Sequence, residues 1–254
     1  METLHLDYKT PPIFEYLRQK LANRGFWSDF LKTYQIQRLN FPDRNSGLFW
    51  DEVFSHQTSL MPMEVWRINK VISLLDGKKN LLNIGVGKGA LETFLFRKFP
   101  DIEYRGTDFT RFTLDLLQQK YGKSRIKFNT LPHLKFRRST FDQILFLEVI
   151  EHIKPQMAFA VFSEIYRVLK PEGKLIVSVP INEHLDKLIP YNPNSHMRMY
   201  SEEVIRSELR LSGFTIEKVY RTSAFHKFFK LKHLINQLLL LREYNNLIIL
   251  ARKV

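Results

Sequence analysis

Gly85, Gly87 and Gly89 stand at alternate positions just after the apolar run Leu81-Leu82-Asn83-Ile84, and an acid, Asp108, closes the next apolar stretch. Glycines let a ligand approach the backbone with no Cβ in the way. A carboxylate at the tip of a second strand accepts hydrogen bonds from ribose hydroxyls. The pair therefore points to nucleoside recognition; the glycines alone would equally fit a tight strand-to-helix turn. A second constellation is Glu148-Val149-Ile150-Glu151-His152. His152 is the candidate base for an acceptor hydroxyl, and the competing reading is that Glu148 and His152 shape a loop. On a helix, Glu148, Glu151 and His152 would share one face, being three and four residues apart.

These residues need elements to hold them. Leu81-Leu82-Asn83-Ile84 is long enough for one buried strand. Leu91, Phe94, Leu95 and Phe99 form the apolar face of a helix that Pro100 stops. Residues 102–106 read as a second strand reaching Asp108, 112–121 as a helix, 125–129 as a third strand and 130–140 as a polar connection. Residues 142–147 form a fourth, central strand with Glu148 at its C-terminal end. Pro155 opens a helix with Val161, Ile165 and Val168 inward. Pro171-Glu172-Gly173 reads as a turn before a fifth strand at 174–179. Residues 181–200 form a long Asn- and Pro-rich loop, the kind that usually carries function. Ser201 caps a helix ended by Gly213, and 214–220 and 247–251 are the last strands. Strands alternating with helices argue for a parallel sheet.

Residues 1–76 read differently, as a helical extension. IFEYLRQKLAN after Pro11-Pro12 and FWSDFLKTYQIQRL are amphipathic candidates, 41–47 is a turn cluster, and LFWDEVFSH is short and aromatic. Pro62 starts a helix with Val65, Ile68, Ile72 and Leu75 on one face, closed by Asp76-Gly77. The division expected is 1–76 for a helical cap and 77–254 for the sheet domain.

Composition sets bounds. The chain has 254 residues, no cysteine and a formal net charge of +13. Disulfides and thiolate metal sites are excluded. Neither a signal peptide nor an apolar run of membrane-spanning length is visible, so a soluble cytoplasmic protein is expected. The positive charge attracts anionic partners, whether nucleic acid, lipid or phosphorylated substrates, or simply describes a solvated surface.

In order and spacing the pieces resemble the class I S-adenosylmethionine-dependent methyltransferases over residues 77–254. LLNIGVGKG matches the cofactor loop, YRGTDFT the ribose acid and FDQILFLEVIEHI the fourth strand. LKPEGKLIVSVP matches the fifth strand and HMRMYSEEVIRSELRLSGF the late helix. A nicotinamide dehydrogenase would also accept Gly85-Val86-Gly87-Lys88-Gly89-Ala90 with Asp108, but not the later pieces. The resemblance implies a Rossmann-like seven-stranded sheet of order 3-2-1-4-5-7-6 with strand 7 antiparallel. It implies S-adenosylmethionine as cofactor, held by Asn83, Gly85, Gly87, Gly89, Asp108, Phe109, Thr130, Leu131 and Glu148. Two positions depart from the family: Asn83 stands where an acid helps hold the ammonium, and Thr130 where an acid binds adenine. Each exchange replaces a charge-assisted hydrogen bond with a neutral one, a loss of about 1 kcal/mol. Arg67 can pair with the methionine carboxylate or remain a solvated surface residue.

In some relatives a similar Glu-x-x-Glu-His with a later His binds a divalent metal; here Glu148, Glu151, His152 and His196 would be the ligands, and oxygen with imidazole suits magnesium, manganese or zinc. The acceptor is less constrained. Residues 223–241 form a basic, strongly apolar stretch, which either packs on the protein or lies on an anionic membrane and favours a small-molecule, glycan or lipid-linked acceptor. Nucleic acid is the weaker candidate, since no aromatic-flanked RNA module is present. Three readings stand: a methyltransferase on such an acceptor, most simply at oxygen; a metal-assisted RNA 2′-O-methyltransferase; and a cofactor-binding fold without catalysis.

Overall fold

The computed structural model describes residues 44–56, 60–76, 80–154, 157–181, 195–198, 200–222, 234–235 and 244–254. The two earliest helix candidates, most of the loop after residue 181 and nearly all of 223–241 lie outside these residues.

The elements are α1 (Gly47–His56), α2 (Pro62–Leu74), β1 (Leu81–Ile84), α3 (Ala90–Lys98), β2 (Tyr104–Asp108), α4 (Arg111–Tyr121), β3 (Ile126–Phe128), β4 (Phe141–Leu147), α5 (Ala158–Val168), β5 (Leu169–Pro180), α6 (Glu202–Leu211), β6 (Phe214–Thr222) and β7 (Asn246–Lys253). The seven strands form one sheet in the order β3-β2-β1-β4-β5-β7-β6, as expected. β7 runs antiparallel to both β5 and β6, and the remaining pairs are parallel.

Alternation along the central strands explains why the sheet is covered on both sides. Leu82, Ile144, Val177 and Ile249 point to one face, where α5 supplies Val161, Phe162 and Ile165 and α6 supplies Val204, Ile205 and Leu209. Leu81, Leu145, Ile176 and Ile248 point to the other, against Ile68, Val71 and Ile72 of α2, Leu91 and Leu95 of α3, and Leu114 and Leu117 of α4. Each such aliphatic side chain contributes roughly 1.5–3 kcal/mol by leaving water. α2, which precedes residue 77, thus packs into this second core.

Local signals set the helix ends. Pro62 occupies the first turn of α2, and Glu64 accepts from the Met61 amide at 2.7 Å. Ser201 Oγ accepts from the Val204 amide at the start of α6. α5 runs from Ala158, and Pro155, at which it was expected to open, lies outside the described residues. One expectation shifts. Pro171-Glu172-Gly173 is not a turn ahead of a separate strand but lies within β5. The register jumps there from Phe141↔Leu169 to Gln143↔Lys174, and Glu172 adopts φ +59°, so the extra residues bulge while pairing resumes on both sides.

Candidate functional site

The C-terminal ends of β1, β2 and β4 open into a cavity of about 690 Å³. In a parallel sheet, ligands bind at this end and at the point where strand order reverses, here between β1 and β4. The glycine loop, Asp108 and the residues after β4 therefore meet although they are far apart in sequence. Asn83, Gly85, Gly87, Asp108 and Phe109 line the cavity, as do Thr130, Leu131, Glu148 and His152. Gly89 does not.

The glycines have distinct jobs. Gly85 has φ +80°, and a Cβ there would overlap Val149 Cγ2. Gly87, at φ +51°, faces the ring of Phe54, which a Cβ would meet at an ordinary contact distance of 3.6 Å. That bare backbone is the room a ligand chain needs. Gly89 caps α3 in the left-handed region, and its missing Cβ makes way for Leu117 of α4. Its role is packing.

Asp108 is 6% exposed. Its Oδ1 accepts from the Phe109 amide (2.8 Å), the Thr110 amide (3.0 Å) and Thr110 Oγ1 (2.9 Å), which fixes the turn after β2. Its Oδ2 accepts from the Gly87 amide at 2.9 Å, tying that turn to the glycine loop. Burial raises the Asp108 pKa, and the donors from Thr110, Gly87 and Phe109 oppose that rise. With Oδ1 occupied by its own turn, Oδ2 is the oxygen with capacity for a ligand hydroxyl.

Asn83 is spent differently from expectation. Its Nδ2 donates to Glu92 Oε1 at 2.8 Å, and the Tyr104 hydroxyl donates to the same oxygen. Glu92 is fully buried under the glycine loop. Burial raises its pKa, with the bonds from Tyr104 and Asn83 acting against the rise. Asn83 Oδ1 is buried and has no hydrogen-bond partner. Sequence reasoning missed this network, although an acid at the third position of a helix with apolar neighbours was its signal.

Glu148, at φ +53°, accepts from Ser178 Oγ (2.8 Å) and Asn246 Nδ2 (3.1 Å) and lies 2.7 Å from Arg67 Nη1. It thus faces α2, β5 and β7 and does not join the group made by Glu151, His152 and His196, whose ligand atoms lie within 4.8 Å of one another. The helical face expected for Glu148, Glu151 and His152 is broken because only Ile150–His152 forms a turn, of the 3-10 type. Burial and the neighbouring His196 push His152 down to about 3, so its ring is neutral at physiological pH. Its Nδ1 lies 3.3 Å from the Ser195 carbonyl, and donation there leaves Nε2 as the lone-pair nitrogen.

The opposite wall comes from α1. Phe49, Trp50, Val53 and Phe54 line the cavity. Trp50 packs edge-on against His152, with ring centroids 4.8 Å apart. Trp50 Nε1 donates to Asn45 Oδ1, and Asn45 Nδ2 donates to the Ser195 carbonyl. That carbonyl thus holds both the wall and the imidazole. The cofactor expected from the sequence fits: a bare glycine loop, a carboxylate with one oxygen to offer and an unpartnered buried acceptor all face one cavity.

Residues 82–175 match the profile of a methyltransferase domain. An uncharacterised protein of Methanocaldococcus jannaschii is 30% identical over 160 residues, 62% of this chain and 64% of that protein. A Mycolicibacterium smegmatis protein named "probable S-adenosylmethionine-dependent methyltransferase" is 28% identical over 143 residues, 55% of this chain and 53% of its own length. The chain therefore spans less than two thirds of these relatives. A crystal structure of a SAM-dependent methyltransferase from Archaeoglobus fulgidus superposes with a TM-score of 0.58 at 19% identity, covering 81% of this chain and 99% of that one. At that identity the likeness concerns the fold.

Proposed function

We propose that the chain is a class I S-adenosylmethionine-dependent methyltransferase, as the methyltransferase-domain match over residues 82–175 supports, and that it moves the cofactor's methyl group to an oxygen of a small-molecule, sugar or lipid-linked acceptor. One observation supports this above the rest: a single cavity joins the nucleoside-binding half at Asp108, Thr130 and Leu131 to an aromatic half at Trp50 and Phe54, with His152 between the two walls.

When bound, S-adenosylmethionine supplies an electrophilic methyl carbon on a sulfonium, so the protein has mainly to align the acceptor atom with it. Asp108 Oδ2 holds the ribose. Gly85 and Gly87 leave room for the chain beyond it, and Thr130 and Leu131 flank the base. Trp50 and Phe54 exclude water and seat the acceptor. His152 Nε2 accepts a hydrogen bond from the acceptor hydroxyl and orients it. At a pKa of about 3 it is a weak proton acceptor, so orientation rather than proton removal is its contribution.

The test is direct. Calorimetry with S-adenosylhomocysteine should show one binding site, and mass spectrometry of host extracts incubated with methyl-labelled cofactor should reveal a labelled product. Binding without any labelled product across extracts would favour the non-catalytic reading. Absence of binding at millimolar cofactor would remove the methyltransferase reading itself.

A second reading, metal-assisted methylation of an RNA 2′-hydroxyl, is supported by the grouping of Glu151, His152 and His196. A neutral imidazole is the form that ligates a metal. Activity abolished by a strong chelator and restored by a divalent ion, with RNA binding that weakens steeply as salt rises, would favour it. Chelator-resistant activity would eliminate it.

A further inference from the structure

We propose that Glu92 is a positioning residue kept as a neutral carboxylic acid, whose proton lies on Oε2 and is donated to Asn83 Oδ1, clasping the two ends of the glycine loop. Its effect on ligand binding rests on the cavity being an S-adenosylmethionine pocket; the clasp itself does not.

Asn83 stands in β1 just before the loop, and Glu92 in the first turn of α3 just after it. Asn83 Nδ2 donates to Glu92 Oε1 at 2.8 Å, so this bond closes the loop at its base. Asp108 Oδ2 holds the same loop from β2, through the Gly87 amide. The loop is thus fixed both at its root and at its middle.

The protonation state follows from what surrounds the acid. Glu92 is completely buried. The side chains that act on it are Asn83 from β1 and Tyr104 and Asp108 from β2, and none of these is a cation. A carboxylate cut off from water and from positive charge takes up a proton instead. The donors from Tyr104, Asn83 and the first turn of α3 favour the ionised form, but burial outweighs them and the charge of Asp108 adds to it.

Two orphan atoms place the proton. Glu92 Oε1 already accepts from Asn83 and from the Tyr104 hydroxyl. Glu92 Oε2 and Asn83 Oδ1, on residues already bonded to each other, are both buried with no hydrogen-bond partner among the described residues. Two acceptors cannot satisfy one another, whereas one proton on Oε2 satisfies both. Acid and amide then exchange two hydrogen bonds, N–H to Oε1 and O–H to Oδ1. An amide oxygen accepts two bonds, so Asn83 Oδ1 keeps one lone pair for the cavity it lines.

The sign of the pH dependence follows. Burial raises the Glu92 pKa above its ordinary 4.5, so the folded chain holds a proton that the unfolded chain releases. This contribution to stability is complete below about pH 4.5 and is lost as pH rises through the folded value.

Infrared difference spectroscopy at neutral pH should show a protonated-carboxyl band in wild type that is missing in Glu92→Gln. Glu92→Met leaves Asn83 and the Tyr104 hydroxyl unpaired, and should weaken S-adenosylhomocysteine about tenfold by calorimetry. Glu92→Gln presents an N–H where the acid presents its O–H, so it should restore affinity to within about twofold of wild type. It should also flatten the fall in stability with rising pH in denaturant titrations. Absence of the band, a Glu92→Gln variant as weak as Glu92→Met, or an unflattened fall overturns the proposal. Should Glu92→Met not fold, the band and the Glu92→Gln titrations still decide it. The band in a wild type that binds no S-adenosylhomocysteine overturns the cofactor reading and leaves the clasp standing.

Discussion

Asp108 shows how much a single carboxylate can organise. Three donors from its own turn and one from the glycine loop converge on it, so it shapes the crevice and serves it. Asp108→Asn would set an amide N–H against one of these donors. The expected outcome is a stability loss of about 1–3 kcal/mol by denaturant titration, with cofactor affinity falling on the order of tenfold or more. Retained affinity would move the ribose contact elsewhere. His152 makes a prediction of the opposite kind. Its pKa falls from 6.5 in the unfolded chain to about 3 in the folded one, so between these values the unfolded chain holds a proton that the folded chain excludes. Stability is therefore full above about pH 6.5 and is lost as pH falls toward 3. Replacing His152 with Asn should flatten stability over that window in denaturant titrations at several pH values; an equally steep acid limb would assign the effect to another group. That Asp108 and Gly87 meet at one crevice was legible in the sequence because the glycine loop and the strand tip are local features. The pairing of Asn83 with Glu92, and of Glu148 with Arg67, was not, because each is made only when separate elements pack.

At the scale of elements, the glycine loop divides its labour. Gly85 and Gly87 line the cavity, whereas Gly89 lets α3 start against α4. Gly89→Ala meets both a left-handed φ of +71° and the Leu117 side chain, so it should cost about 1–3 kcal/mol in unfolding experiments. Cofactor binding should survive once the protein is folded. Lost binding with unchanged stability would place Gly89 in the site after all. α1 illustrates what pattern reading leaves out. Its aromatic run was visible, but no periodicity says that Trp50 and Phe54 face a cavity rather than the core. None of its residues is fully buried, since the surface it covers is a crevice.

For the whole molecule, the strands were legible because each apolar run has the length of one buried strand, whereas their order came from the family resemblance and not from the pattern itself. The bulge in β5 was not legible, since Pro171-Glu172-Gly173 has turn chemistry whether or not pairing resumes beyond it. No described helix is long and apolar enough to cross a membrane. The net charge of +13 and the basic, apolar stretch at 223–241 still predict attraction to anionic surfaces. Cosedimentation with phosphatidylserine vesicles at low salt, lost at high salt and absent with phosphatidylcholine, is the expected outcome. Equal recovery with neutral vesicles, or none with either, would refute it. The last consequence comes from Ser195, whose backbone sits at φ +53° and whose carbonyl meets Asn45 from the N-terminal side and His152 from the sheet. One oxygen is the hinge pin for two parts. A mutation that reshapes the aromatic wall for a different guest also tugs on the imidazole, so selectivity and alignment in this scaffold must drift together.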